Sequence, residues 1–171
     1  MYVEYKRKND SDKQFRNFAG RINPGRNYFM FGLLSKGVRS DNEDGIEPKG
    51  LPEMDSLGYK TMQDARLYIT DNASGEGDEC TLEQALQWTE NGRYGRKIYN
   101  NADGKPTWVD HPDWHSHTWL TSAEYSTAIF KYNSNPQAVK YKEQEYEAIL
   151  AVLNSLENNG YETRLVFWFD N

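Results

Sequence analysis

Residues 146–169 read Tyr146-Glu147-Ala148-Ile149-Leu150-Ala151-Val152-Leu153-Asn154-Ser155-Leu156-Glu157-Asn158-Asn159-Gly160-Tyr161-Glu162-Thr163-Arg164-Leu165-Val166-Phe167-Trp168-Phe169. Tyr146, Ile149, Leu150, Leu153 and Leu156 fall on one stripe of a helical wheel, which predicts a helix over 142–158. Asn158-Asn159-Gly160 offers a left-handed stop. Arg164 to Phe169 is then a continuous apolar run, as expected of a strand covered on both faces. A helix, a tight stop and a buried strand in so few residues place the chain in the α+β (or α/β) class, a small mixed sheet with helices packed on it.

Working outward, Thr121 and Glu124 make a capping box for a helix over 122–132, with Tyr125, Ile129 and Tyr132 on one face. Thr81 and Gln84 make another for a helix over 82–91, with Leu82, Ala85 and Leu86 inward and Gly92 as its stop. Tyr28-Phe29-Met30-Phe31-Gly32-Leu33-Leu34 reads as a second core strand near 28–34, beside the one near 163–169, and Tyr2-Val3-Glu4-Tyr5 as a third. Residues 39–80, rich in Gly and Pro among acids, read mostly as loop with one short element around 62–69, and residues 99–114 also read as loop. The expected organisation is a single domain, 1–171, with a loop-rich insertion at about 39–80.

Composition limits the classes. Of 171 residues, 24 are aromatic, which argues against bulk disorder. No apolar run approaches the roughly 18–20 residues of a membrane helix, and Met1 to Lys6 shows no secretory pattern. The lone Cys80 can form no internal disulfide, so a reducing cytoplasm is the expected home. Residues 1–49 carry ten Lys/Arg against seven Asp/Glu, a net of +3, while the remainder carries −9 of the total −6. That balance disfavours a broad duplex nucleic-acid footprint and leaves room for a local anion site in the first third.

The densest chemistry lies in Asp110-His111-Pro112-Asp113-Trp114-His115-Ser116-His117-Thr118-Trp119, which holds all three histidines. If 115–119 is extended, His115, His117 and Trp119 share one side. Two imidazoles there can move protons or ligate a metal, with Asp110 or Asp113 adding a carboxylate. They can equally be structural groups at the start of the following helix. His115 and His117 are thus the candidate catalytic pair, and His111, His115 and His117 the weak metal candidates. A H-x-H pair by itself falls short of the three ligands of catalytic zinc, so no cofactor is expected and a metal stays open.

Gly20-Arg21-Ile22-Asn23-Pro24-Gly25-Arg26-Asn27 combines flexible backbone with two guanidinium groups suited to phosphate or carboxylate, and Arg39 lies just beyond the next run. Glu47-Pro48-Lys49-Gly50-Leu51-Pro52 is a stiff loop with Lys49 at its crown. Arg93-Tyr94-Gly95-Arg96-Lys97 is a small basic and aromatic patch. Cys80, near a helix start, reads as an ordinary thiol. No GxSxG, HExxH, EF-hand, CxxC or GxxxxGK[ST] pattern is present.

Arg26-Asn27-Tyr28-Phe29-Met30-Phe31-Gly32-Leu33-Leu34, Gly37-Val38-Arg39, Glu47-Pro48-Lys49-Gly50-Leu51-Pro52, His115-Ser116-His117-Thr118-Trp119-Leu120-Thr121 and Arg164 to Asn171 occur in that order. The set resembles a family of small hypothetical proteins of tailed bacteriophages, with RNYxxFGxLAxVR, EPRGLP, HSHSWLT and RLVFxFDN motifs. The resemblance spans nearly the whole chain. It departs at Lys49, where the family has arginine, and at an insertion-like stretch over about 59–108. It implies a phage accessory protein of the host cytoplasm, and by analogy an anti-defence role.

Three functions follow as expectations. The first is non-catalytic binding of a nucleotide-derived signal, such as a cyclic oligonucleotide or a cyclic ADP-ribose form, by Arg21, Arg26, Arg39, Lys49, His115, His117 and Trp119. The second is a phosphodiesterase or hydrolase of such a nucleotide, working through His115 and His117. The third is a protein-interaction inhibitor of a host enzyme, using the acidic loops. The expected partner is a small nucleotide-like ligand or a host protein, with neither duplex nucleic acid nor membrane, and a homo-oligomer stays possible.

Overall fold

Pairing of the two chain ends organises the larger part of the molecule. The computed structural model describes residues 1–9, 11, 14–39, 44–53, 56–64, 66–73, 79–90, 97–110, 114–136, 138 and 144–170. The chain divides into two compact units, one of residues 1–59 with 116–168, the other of 60–115 with 169–171. The class is α+β. No helix among the described residues is long and apolar enough to cross a membrane.

In the first unit, β1 (Tyr2–Arg7) pairs antiparallel with β2 (Arg16–Asn17) on one side. On its other side it pairs antiparallel with β8 (Tyr161–Asp170), and β7 (Trp114–Thr121) lies beyond β8. The register sets Val3 opposite Leu165 and Glu4 opposite Arg164. Alternation therefore gives the sheet two faces. Val3, Thr163, Leu165 and Phe167 turn to the helices, where Thr163 donates to Glu157 of α5 (Gln144–Asn158) at 3.0 Å. Tyr2, Glu4, Arg164 and Val166 turn to the opposite face, where Glu53, Ser56 and Gly58 meet Arg164, Glu4 and Val166. There, a Cβ on Gly58 would lie 2.3 Å from Val166 Cγ1, so only glycine fits.

The helical layer is built as its periodicity dictates. Tyr146, Ile149 and Leu153 of α5 are buried, as are Tyr125, Ile129 and Tyr132 of α4 (Ser122–Ser134). Each such side chain contributes about 1.5–3 kcal/mol on burial. The Thr121–Glu124 capping box is formed, and Tyr125 donates to the Tyr146 carbonyl at 2.9 Å. Gly160 adopts φ +85° and ends α5.

The run 28–34 is a helix, α1 (Tyr28–Leu34), not a strand. A seven-residue apolar run fits a buried strand or a buried helix equally by periodicity. Asn27 decides between them. Its Oδ1 accepts the Met30 amide at 3.0 Å as N-cap, and its Nδ2 donates to Tyr132 of α4 at 3.0 Å.

The second unit holds a separate mixed sheet in the order β4-β3-β6-β5 rather than an extension of one small sheet. It lies close to the insertion-like stretch. Within the 39–80 region lie α2 (Leu57–Asp64), β3 (Leu67–Ile69) and β4 (Glu79–Cys80), the last two parallel. The 99–114 stretch contains an antiparallel pair, β5 (Ile98–Asn100) and β6 (Pro106–Val109). Its turn is set by Asn101 Oδ1, which accepts the Asp103 and Lys105 amides, and by Gly104 at φ +78°. Leu67, Cys80, Ala85 and Val109 form the core with Ile69, Trp88 and Ile98. The Thr81–Gln84 box opens α3 (Leu82–Glu90), but only Ala85 of its three expected core residues is buried. Leu82 and Leu86 remain exposed, while Ala85 packs with Leu67, Cys80 and Val109. Gly92 lies outside the described residues.

Candidate functional site

The sheet face met by Glu53, Ser56 and Gly58 carries a buried ionic cluster. Glu4 on β1 and Arg164 on β8 are direct cross-strand partners, and Arg164 Nε donates to Glu4 Oε2 at 2.8 Å. Both are almost fully buried. Ser56 Oγ and the Gly58 amide donate to Glu4 Oε1 at 2.7 and 3.3 Å, filling its remaining acceptor. Arg164 Nη1 donates to Glu53 Oε2 at 2.5 Å, and Glu53 is largely in solvent. Burial would raise the Glu53 pKa, but the Arg164 hydrogen bond, a backbone bond of its own and the charges of Arg164 and Lys6 hold it below the ordinary carboxylate value.

Aromatic rings interleave with the cations. Arg164 Cζ lies 3.7 Å from the Phe15 ring centre and 5.8 Å from that of Trp119. Lys6 Nζ lies 4.5 Å from Phe15, and Lys49 Nζ 4.0 Å from Trp119. The order Lys6, Phe15, Arg164, Trp119, Lys49 is thus a rack of alternating cations and rings, each contact worth about 0.5–2 kcal/mol according to desolvation.

Lys49 is fixed at three points. Its amide donates to Thr118 Oγ1 at 2.9 Å, its ammonium donates to Glu124 Oε2 at 2.5 Å, and Gly50 turns the chain at φ +76°. Burial alone would raise the Glu124 pKa. The hydrogen bonds from Lys49 and from the Thr121 amide and hydroxyl hold it below the ordinary value. Glu124 therefore closes the α4 capping box and clamps the loop at the same time.

The structure brings Lys49 and Trp119 together, with the Lys49 ammonium 4.0 Å from the Trp119 ring. Arg21 and Arg26 are exposed on the segment leading into α1. Burial, then repulsion from Arg21, lowers the Met1 amino group to about 5. Arg39, at φ +56°, lies 5.5 Å over Tyr28. Arg21 and Arg26 precede α1, a helix of seven residues rather than a strand, and Arg39 follows it.

His117 is half-buried, with its ring 6.3 Å from that of Trp168. Ser116 between the two histidines has φ +52°, in the left-handed region. His111, Pro112, Asp113, the Trp114 and His115 side chains and residues 91–96 lie outside the described residues. Among the described residues no three His, Cys, Asp or Glu groups are placed to hold a metal ion. Asp110 accepts the Lys97 amide at 3.0 Å and lies 3.9 Å from Arg66 Nε, whose guanidinium stacks 3.8 Å over Tyr99. Cys80 is buried, and desolvation pushes its thiol pKa up.

Sequence reasoning missed Glu4, Phe15, Glu53 and Arg164. A usable signal existed, since Glu4 and Arg164 are opposite charges inside two apolar runs both expected to be core strands. No protein-family model matches the chain, and neither a curated protein nor a solved structure matches it.

Proposed function

We propose that the protein is a phage accessory factor that binds a small nucleotide-derived signal, of the cyclic oligonucleotide or cyclic ADP-ribose class, without turning it over. The observation that carries this reading is the Lys49 ammonium 4.0 Å from the Trp119 ring on a loop clamped by Thr118 and Glu124. An indole face accepts a base, with stacking worth about 1–3 kcal/mol. The adjacent ammonium exchanges Glu124 for a phosphate oxygen.

The test is a thermal-shift screen with cyclic dinucleotides, cyclic trinucleotides and ADP-ribose derivatives, followed by chromatography of the recovered ligand. Saturation at a hundred times Kd stabilises the fold by about 2.7 kcal/mol. Intact ligand, with the shift lost in Lys49→Ala and Trp119→Ala, supports the reading. A new product instead supports the hydrolase reading and points to His117. No shift across the panel overturns both.

A second reading, inhibition of a host protein, draws on one observation. Phe130 of α4 is 73% exposed, beside a groove of about 500 Å³ lined by Phe29, Leu33, Lys131 and Pro136. Exposed aromatic surface of this kind is characteristic of protein contacts.

A further inference from the structure

The two carboxylates on Arg164 are not equivalent. Glu4 is 1% exposed and is also held by Ser56 and Gly58, so it is a permanent counter-ion. Glu53 has 66% of its side chain in solvent and reaches Arg164 from irregular chain between α1 and α2. Nη1 is committed to this solvent-reaching carboxylate. The neighbouring Nη2 is buried and has no hydrogen-bond partner among the described residues. A guanidinium that is 3% exposed, with one donor unused and another covered from outside by a solvent-reaching carboxylate, is a fork awaiting a planar or tetrahedral oxyanion.

The surroundings favour an anion. Phe15 backs the guanidinium at 3.7 Å, and Lys6 adds a second positive charge over the same ring. Lys6 also pairs with Glu162 at 3.2 Å, at the rim. Trp119, 5.8 Å from Arg164, links the fork to the Lys49 platform.

We infer that Arg164 is the phosphate anchor of the ligand site, and that Glu53 is a displaceable internal carboxylate that occupies the anchor until a phosphate replaces it. This rests on the nucleotide-binding reading for its choice of phosphate. When Glu53 swings into solvent, Nη1 and Nη2 present two parallel N–H donors to two oxygens of one phosphate. Glu4 keeps the guanidinium in place throughout. Glu53 thus sets the affinity threshold, because the apparent Kd is the intrinsic Kd divided by the fraction of molecules with the anchor uncovered.

The experiment is calorimetric titration of inorganic pyrophosphate, and separately of ADP-ribose, into the wild-type chain, Glu53→Gln, and Glu53→Gln with Arg164→Lys. Glu53→Gln is expected to bind pyrophosphate about tenfold tighter than wild type. The Arg164→Lys substitution is expected to abolish that gain, since lysine keeps the charge and loses the fork. The nitrogen-15 signals of the Arg164 guanidinium in Glu53→Gln are expected to shift on titration, a readout that stands even if the lysine variant fails to fold. Equal affinity in wild type and Glu53→Gln, with ADP-ribose binding both, overturns the Glu53 role and leaves the nucleotide reading standing. A gain in Glu53→Gln without movement of the Arg164 signals overturns the anchor. Absence of binding by either molecule to any variant overturns the anchor, while the thermal-shift panel decides the nucleotide reading separately.

Discussion

Glu4 and Arg164 face each other across the β1–β8 ladder, joined at 2.8 Å and almost wholly removed from water. Removing one member of such a pair leaves the other charged and desolvated, which costs about 3–5 kcal/mol. Arg164→Met is expected to lose that much in urea unfolding. The double variant Glu4→Gln with Arg164→Met is expected to lose far less. If the two variants unfold at the same urea concentration, the ion pair is not the source of the loss.

Gly58 is fixed by space, not by φ. Its added Cβ would meet Val166 at 2.3 Å, while a Cβ on Gly20 would meet nothing within 4 Å. Gly58→Ala is expected to destabilise by about 1–3 kcal/mol, as overpacking does. Gly20→Ala should be close to neutral. Equal effects in a thermal melt would show that Gly58 does not press on Val166 as described.

The Thr121 hydroxyl accepts the Glu124 amide and completes the α4 capping box. Thr121→Ala is expected to cost about 1 kcal/mol, a fall in Tm of about 2–4 °C for a chain of this size. Thr121→Ser should restore most of it, because serine keeps the accepting oxygen.

Glu53 and Glu124 both have folded pKa values below the ordinary 4.5, through their bonds to Arg164 and to Lys49 with Thr121. A depressed carboxylate contributes stability that is complete above its unfolded value and is lost as pH falls through its folded value. The urea midpoint is therefore expected to hold from pH 7 to about 5 on account of these groups and to fall below about 4.5. Glu53→Gln with Glu124→Gln should flatten that acid limb. A limb of unchanged steepness would exclude the two carboxylates as its cause.

Cys80 sits in the core of the second unit with Leu67, Ala85 and Val109, and its thiol is held in the protonated form by burial. Alkylation is expected to be slow in native buffer and fast in urea. Fast native labelling at unchanged far-ultraviolet dichroism would mean that the second unit opens on its own.

The amphipathic helices and their caps were determined by sequence alone, because each rests on contacts within a few residues, and the C-terminal strand was legible from its continuous apolar run. Thr121 reaches Glu124, Thr81 reaches Gln84, and Gly160 ends its own helix. Lys49 and Trp119 were legible as candidates because a proline-framed lysine and a histidine-flanked tryptophan stand out locally. The run 28–34 was not decided locally, since its helix is fixed by Asn27 reaching Tyr132, 105 residues away. Nor was the Glu4–Arg164 pair, whose partners are 160 residues apart. Separations of that size carry no periodic trace in the chain. Only the burial of both groups on one sheet face makes the pair, and the same tertiary packing turns Glu53, an ordinary loop carboxylate by sequence, into the cover of a buried cation.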